Sequence, residues 1–480
     1  QDAAYDSLLK EPKRQFHDRI ADGLISRFPE VVANRPELLA SHLAKAERFN
    51  EAVDHWKEAG LMAARASSNL EASNHLEMAL KLLENESPSP VRDQRELALQ
   101  TPLAMAMTSL HGHGSPKTGA VYERAFQLAQ SMDSPPELFQ ILYGLSSNRM
   151  NGDRFMEGLS IAKELANYAD TMTDKPGYAI AHRWYGHYLM WLPDRKTAET
   201  HFEKAIVAYE RLNFNRWIDE YGQDPKAMSL VYLGGLKISQ GSIDEGTKNI
   251  EQAVTHSESL EFPFGLAFSH ACAATFLRNV NDIERVQHHS KAQLEISTEK
   301  NFPWLTNHAL IYSGWAEHRQ NKPGSFEKME TGMRQINSWG STAFDSVGHH
   351  VLAHQESRIA SGQYDAAHEN IEYIVKTMKL LGCEEGLPEA LRLKGLCALG
   401  RNNSNGLEAE SHFQESLQES RKHKSEVWEL RTSVSLARFW GENQEREKAY
   451  DLLYSKYNSY TEGLETPLLQ EAETLLKELR

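Results

Sequence analysis

The chain has 480 residues, a formal charge of -15 at pH 7, a pI near 5.8 and 25% charged residues, which describes a soluble acidic protein. That balance, with no long Lys/Arg run anywhere, argues against nucleic acid as a partner, because phosphate-backbone binders carry basic stripes that release counterions. The scattered Cys272, Cys383 and Cys397 make neither a disulfide framework nor a zinc ribbon and fit a reducing cytoplasm, and no apolar run is long enough to suggest a membrane partner.

From Lys10 onward the chain reads as helices joined by Gly, Pro, Asn and Asp turns, with no sustained alternation of β-branched residues to suggest a strand. The N-terminal QDAAYDSLLKEPKRQ lacks the apolar core of a signal peptide. An opening Gln1 in place of methionine leads us to expect a piece of a longer polypeptide.

Internal similarity is the strongest signal. EFPFGLAFSHACAATF from Glu261 and NFPWLTNHALIYSGWAE from Asn301 carry Phe-Pro at the same place, and related helix openings recur at Asp224, Gly386 and Ser425. A period near 40 residues means a solenoid. In the tetratricopeptide type of helix pair, a small residue in the first helix faces another 12 positions on, followed by a large apolar residue and a third small one. Small residues let the paired helices approach closely, and the large one fills the groove between them.

In chain order the full pattern appears at Ala40/Ala52/Trp56/Ala59, Gly60/Ala72/Leu76/Ala79, Gly186/Ala198/Phe202/Ala205 and Gly234/Gly246/Ile250/Ala253. It is partial at Ser146, Gln355 and Ala437, and departs most at Gly314, where Phe326 stands in place of a small residue. The expected fold is an all-α, right-handed solenoid, with repeats over 36–85, 92–215 and 223–463 and a capping helix over 464–480. ENESPSPVRD, from Glu84, is the most linker-like stretch between them.

HGHGSPKTGAVYERAFQLA, from His111, has the wrong order for a phosphate loop, since Lys117 and Thr118 precede Gly119. We read it as a turn between a helix ending near Leu110 and one starting at Ser115-Pro116. His111 with His113 is an incomplete metal set. His350 and His354 share a helical face, but no carboxylate or cysteine at helical spacing joins them, and surface histidines are the expectation there. No Gly-x-Ser-x-Gly elbow occurs, so no catalytic residue, metal or cofactor is expected. The irregular stretch RLNFNRWIDEYGQDP gathers Trp217, Tyr221, Gln223 and Asp224 in a loop, either as a functional cluster or as a lid anchored by Trp217.

The blocks at Asp224, Glu261, Asn301 and Gly386, with WELRTSVSLARFW and EKAYDLLYSKYNSYTEGLETPLLQEAETLLKEL, resemble the C-terminal repeat region of large bacterial proteins. Those proteins join a class III adenylate/guanylate cyclase domain to a signal-transduction ATPase and then to tetratricopeptide repeats. RQFHDRIADGLISRFPEVVANRPELLASHLAKAERFNEAVDHWKEAG resembles the passage from the ATPase and its winged-helix segment into the repeats, so the resemblance makes 1–35 junction helices. It covers essentially the whole chain. It implies a non-catalytic sensory or scaffolding arm, similar to that of the maltose-responsive activator group, with the cyclase and ATPase domains of the same polypeptide as partners.

In such a superhelix the concave wall is built by first-helix residues one after, and three or six before, the small position. That rule selects Arg183 and His187, His308 and Trp315, His349 and Glu356, Arg392, and Arg431 and Arg438. The set is mostly cationic and aromatic on an acidic chain, fit to hold a protein segment or a small anionic ligand. The alternative is a scaffold that dimerises cyclase domains, for which LETPLLQEAETLLKEL, with Leu468, Leu469, Leu475, Leu476 and Leu479, offers an apolar face.

Overall fold

A computed structural model describes residues 10–66, 68–111, 114–133, 135–172, 175–212, 217–218, 223–338, 348–401 and 406–480. Among these residues the chain is an α-solenoid of 24 α-helices without strands. It divides into two compact units, 1–152 and 153–480, at a point inside the expected 92–215 segment.

The first unit holds α1 (Lys10–Arg27), α2 (Pro29–Asn34), α3 (Pro36–Lys45), α4 (Phe49–Arg65), α5 (Asn69–Leu83), α6 (Pro90–His111), α7 (Pro116–Gln130) and α8 (Leu138–Met150). Four of these open with proline, whose fixed φ suits the first helical position and whose missing N–H is not needed there. α6 ends at His111 and α7 starts at Pro116, the helix bounds expected on either side of that stretch, whose residues 112 and 113 lie outside the described residues. ENESPSPVRD joins α5 to α6 within this unit. Leu76, Leu83, Leu99, Leu103 and Met107 make its central apolar cluster, with Trp56 packed against it.

The second unit holds α9 (Phe155–Ala169), α10 (Gly177–Leu189), α11 (Arg195–Leu212), α12 (Pro225–Ser239), α13 (Ile243–Glu258), α14 (Pro263–Arg278), α15 (Ile283–Glu299) and α16 (Pro303–Arg319). It continues with α17 (Ser325–Ser338), α18 (His349–Ala360), α19 (Tyr364–Leu381), α20 (Leu387–Arg401), α21 (Gly406–Lys422), α22 (Glu426–Glu442), α23 (Arg446–Tyr457) and α24 (Pro467–Leu479). Asn281, Asn301 and Asn321 take φ of 58, 54 and 58°, ending three successive helices in the left-handed conformation that asparagine tolerates.

The small-residue pattern has its expected steric cause. A Cβ on Gly234 would lie 2.6 Å from the Gly246 carbonyl and 2.7 Å from Ile250 Cγ1, so only glycine allows that helix pair its spacing. The departure at Gly314 also resolves. Its close neighbours are the Ser325 carbonyl and Met329, so the facing small residue falls one position before Phe326 and the pair is intact in a shifted register.

The first helices α10, α12, α14, α16, α18, α20 and α22 pack each against the next, and α22 comes round to touch α12. Ser239 Oγ meets Ser425 Oγ at 2.8 Å, the Leu468 N–H donates to the Val280 carbonyl at 3.2 Å, and Arg195 Nε donates to the His423 carbonyl at 2.6 Å. The second unit thus closes on itself. Leu468, Leu469, Leu475, Leu476 and Leu479 are all buried within it, so the apolar face of the terminal helix is not available for self-association. No described helix is long and apolar enough to cross a membrane.

Candidate functional site

The closure draws five charged residues of four first helices to one place. Glu356 of α18 and Glu389 of α20 meet three guanidiniums. Arg431 Nη2 donates to Glu356 at 2.6 Å and to Glu389 at 3.0 Å, Arg392 forks onto Glu389 at 2.7 and 2.8 Å, and Arg278 Nη2 donates to Glu356 at 2.9 Å. Arg431 Nη1 also reaches Asn281 Oδ1 at 2.6 Å, tying α22 to the turn after α14. Bidentate arginine contacts of this kind are the strong ones.

All five charged groups are buried, with Arg278 0% and Glu389 1% exposed. Burial alone pushes the Glu389 carboxyl up, but Arg392 and Arg431 outweigh it and hold it at about 2. Glu356 is likewise held well below the ordinary carboxylate range, with Arg431 and Arg278 overcoming the effect of burial. Three cations against two anions leave the cluster with a positive excess.

Above it lies a cavity of about 330 Å³ reached by Arg319, Arg392, Arg431 and Arg438, with Glu356, Glu442 and Glu471 also on its wall and Leu399, Val434 and Phe439 supplying apolar surface. Arg438 donates to Glu471 at 2.8 Å with its side chain 50% exposed. Arg319 is exposed, lies 5.9 Å from the Trp315 ring centroid and has no carboxylate at ion-pair distance among the described residues. A ligand carboxylate or phosphate would find Arg319 unpaired and Arg438 only loosely paired, over guanidiniums that cannot leave.

Four of the expected groove residues, Glu356, Arg392, Arg431 and Arg438, therefore come together, and the others are placed differently. Trp315 is 0% exposed and donates its Nε1–H to Glu356 at 3.0 Å; it braces the cluster and offers no open stacking face. His308 is buried against Gln293, its Nδ1 3.2 Å from Gln293 Nε2, and burial followed by His350 keeps its pKa well below the ordinary value. His349 is buried, its Nε2 2.9 Å from Glu385, whose other oxygen accepts from Trp428 at 3.1 Å. Arg183 and His187 lie apart from the cavity: Arg183 donates to Gln223 and His187 stacks on Tyr232 at 4.3 Å.

The loop cluster also changes character. Asp224 caps α12 by accepting the Ala227 N–H at 2.7 Å, and Trp217 is buried with its ring stacked on Tyr209 at 5.3 Å, which makes it the packing anchor. Tyr221 lies outside the described residues. His350 and His354 are not surface histidines: both are buried, and His354 Nε2 lies 3.0 Å from Glu330.

Sequence reasoning missed Arg278, Arg319 and Glu389. The first two could have been found, since each is the last residue of a first helix, in repeats that share the Phe-Pro opening. A second missed signal is the pairing of His182 with His201 and of His270 with His289, at 2.8 and 3.0 Å between ring nitrogens and with the same sequence separation.

The fold defines a class, the tetratricopeptide-like solenoid. No protein-family model matches the chain. An uncharacterised protein of Rhizobium meliloti (strain 1021) is 22% identical over 367 residues, 72% of this chain but 33% of that protein, so the chain spans about a third of the relative's length. Among solved structures, a Rap protein complexed with competence and sporulation factor is 13% identical with a TM-score of 0.55, covering 78% of this chain and 99% of its own. A signal-transduction ATPase with a tetratricopeptide-repeat sensor from Pyrococcus horikoshii gives 12% identity and a TM-score of 0.43, covering 84% of this chain and 57% of its own.

Proposed function

We propose that this chain is a non-catalytic sensing module that takes an acidic, extended peptide segment into the arginine-lined cavity of its second unit and passes that event to cyclase and ATPase domains of the same polypeptide. The observation that carries the reading is Arg319, an exposed guanidinium without a carboxylate partner among the described residues, opposite the half-exposed Arg438. The resemblance to cyclase–ATPase–repeat proteins supports the second half. The Rap protein, a solenoid of the same fold, is held in complex with a factor, which agrees with the first half.

A ligand changes an equilibrium only through differential affinity for its states. Arg319 sits on α16 and Arg438 on α22, so a carboxylate held by both would favour the closed turn over an opened one. A charge-assisted hydrogen bond contributes about 1.5–3 kcal/mol, so losing one arginine weakens binding by about tenfold or more.

The test is calorimetric titration of the chain with acidic peptides and their amidated, neutral counterparts. Binding of the acidic series alone, weakened tenfold by Arg319→Ala and by Arg438→Ala, supports the reading. Equal binding of both series, or binding indifferent to both substitutions, sinks it. The relay is tested in the full polypeptide, where the same peptides must change cyclase activity and the same substitutions must abolish the change.

A further inference from the structure

We propose that Glu384, Glu419 and His423 form a binding site for one divalent transition-metal ion, with zinc the best match to the donors. His423 follows the last turn of α21 and Glu419 lies four positions before it, so both project from one helical face. Glu384 comes from the turn between α19 and α20. One donor atom from each residue lies within 4.8 Å of the others.

The histidine is what separates this cluster from an ordinary pair of surface carboxylates. Its side chain is 0% exposed, and neither ring nitrogen makes a hydrogen bond to a described residue. Nε2 points at Glu384 Oε2 and Glu419 Oε2 from 3.6 Å each. That is too long for a hydrogen bond, yet close to the separation of about 3.3 Å between two donors on a tetrahedral zinc with bonds of about 2.0–2.2 Å. A ligand for imidazole nitrogen and two carboxylates at that spacing is a borderline-soft dication, not calcium or magnesium, which prefer oxygen alone.

Lys422 Nζ sits 2.9 Å from Glu384 and 3.0 Å from Glu419, on the same two oxygens the metal would use. Its side chain is 49% exposed at the end of a flexible stem, so it can turn to water and yield its place. Metal and ammonium therefore compete, which sets the sign of the decisive test.

The site lies on the closing contact of the second unit. The His423 carbonyl accepts the Arg195 Nε–H at 2.6 Å, and Glu385, next to Glu384, lies 3.7 Å from Arg195 Nη2. A metal bridging Glu384 and His423 would staple the turn against α21 at the point where α11 docks. This site is separate from the arginine-lined cavity and does not depend on the peptide reading.

The experiment titrates the whole chain, stripped with chelator, with Zn2+ by calorimetry and with Co2+ by visible absorption. The expected result is one tight equivalent of Zn2+ and a Co2+ spectrum with nitrogen and oxygen donors. Binding is expected to weaken at least tenfold in His423→Gln and in Glu419→Gln, and to tighten in Lys422→Ala. Lys422 is on the surface, so its variant keeps the proposal testable should the buried histidine variant fail to fold. Absence of a tight equivalent in the wild type overturns the proposal. So does an equivalent that His423→Gln, Glu419→Gln and Lys422→Ala all leave unchanged, since other histidines would then hold it.

Discussion

The two units are built from the same helix pairs but differ in how much charge they bury in one place. In the first unit one ion cluster is peripheral: Arg48, at 27% side-chain exposure, sits just before α4 and pairs with Asp18 and Asp22 of α1 and with Glu51, while a smaller one buries Glu96 beside Arg92 and the partly exposed Arg124. In the second unit Arg278, Glu356, Glu389, Arg392 and Arg431 are all buried, none more than 8% exposed. The repeat does not dictate which outcome follows. Closure of α22 onto α12 does, because it dehydrates side chains that an open array would leave in a solvated groove.

The largest test of that contrast is removal of one buried partner. Glu356→Ala leaves Arg278 and Arg431 undercompensated in a buried site and should destabilise the second unit by about 3–5 kcal/mol. Arg48→Ala in the first unit should cost about 1 kcal/mol or less, because exposed pairs contribute little. Urea unfolding followed by tryptophan emission reads the first variant, since every tryptophan except Trp56 lies in the second unit. Equal destabilisation by the two substitutions would remove the distinction.

Acid should weaken the second unit next. Burial lowers His182, His201, His270 and His354 to about 4, so each binds its proton more readily when unfolded. Their contribution is complete above the unfolded value of about 6.5 and is lost as pH falls through 4. Glu385 and Glu389, held at about 2 against the effect of burial by His349 and Arg392 respectively, add stability that is present above about 4.5 and lost toward 2. The second unit should therefore weaken in two stages, the first beginning below pH 6.5. A tryptophan-detected melting temperature flat from pH 7 to 4 would contradict this.

Backbone spacing gives a third and smaller contrast. Gly234→Ala forces a methyl against the Gly246 carbonyl and should cost about 1–3 kcal/mol by overpacking. Gly23→Ala in α1, where a Cβ meets nothing within 4 Å, should instead stabilise by about 0.5–1 kcal/mol through helix propensity. Circular-dichroism melts of the two variants should move in opposite directions. Smallest of all is Arg438→Ala, whose exposed pair with Glu471 contributes about 1 kcal/mol or less. It should leave the melt nearly unchanged while weakening peptide binding, and a large loss of stability would assign Arg438 to the structural cluster.

The amino-acid sequence by itself determined the helices, their pairing and the inward face of each first helix. Those features are local: small residues a dozen positions apart must meet whenever two helices fold back on each other, and a period of 40 residues repeats that meeting. The counting that chose Glu356, Arg392, Arg431 and Arg438 picked residues that the structure brings together for this reason, and even the exception at Gly314 kept the pairing with a shift of one residue. What the sequence left open was whether that face meets water. Arg431 pairs with Asn281 across 150 residues, and Arg195 with the His423 carbonyl across 228. Contacts at that range depend on small rotations accumulated over many repeats, which no local pattern encodes. Only the tertiary structure decided that Trp315 and His308 are buried, that Arg319 remains open, and that Glu384 stands beside the helix that carries Glu419 and His423.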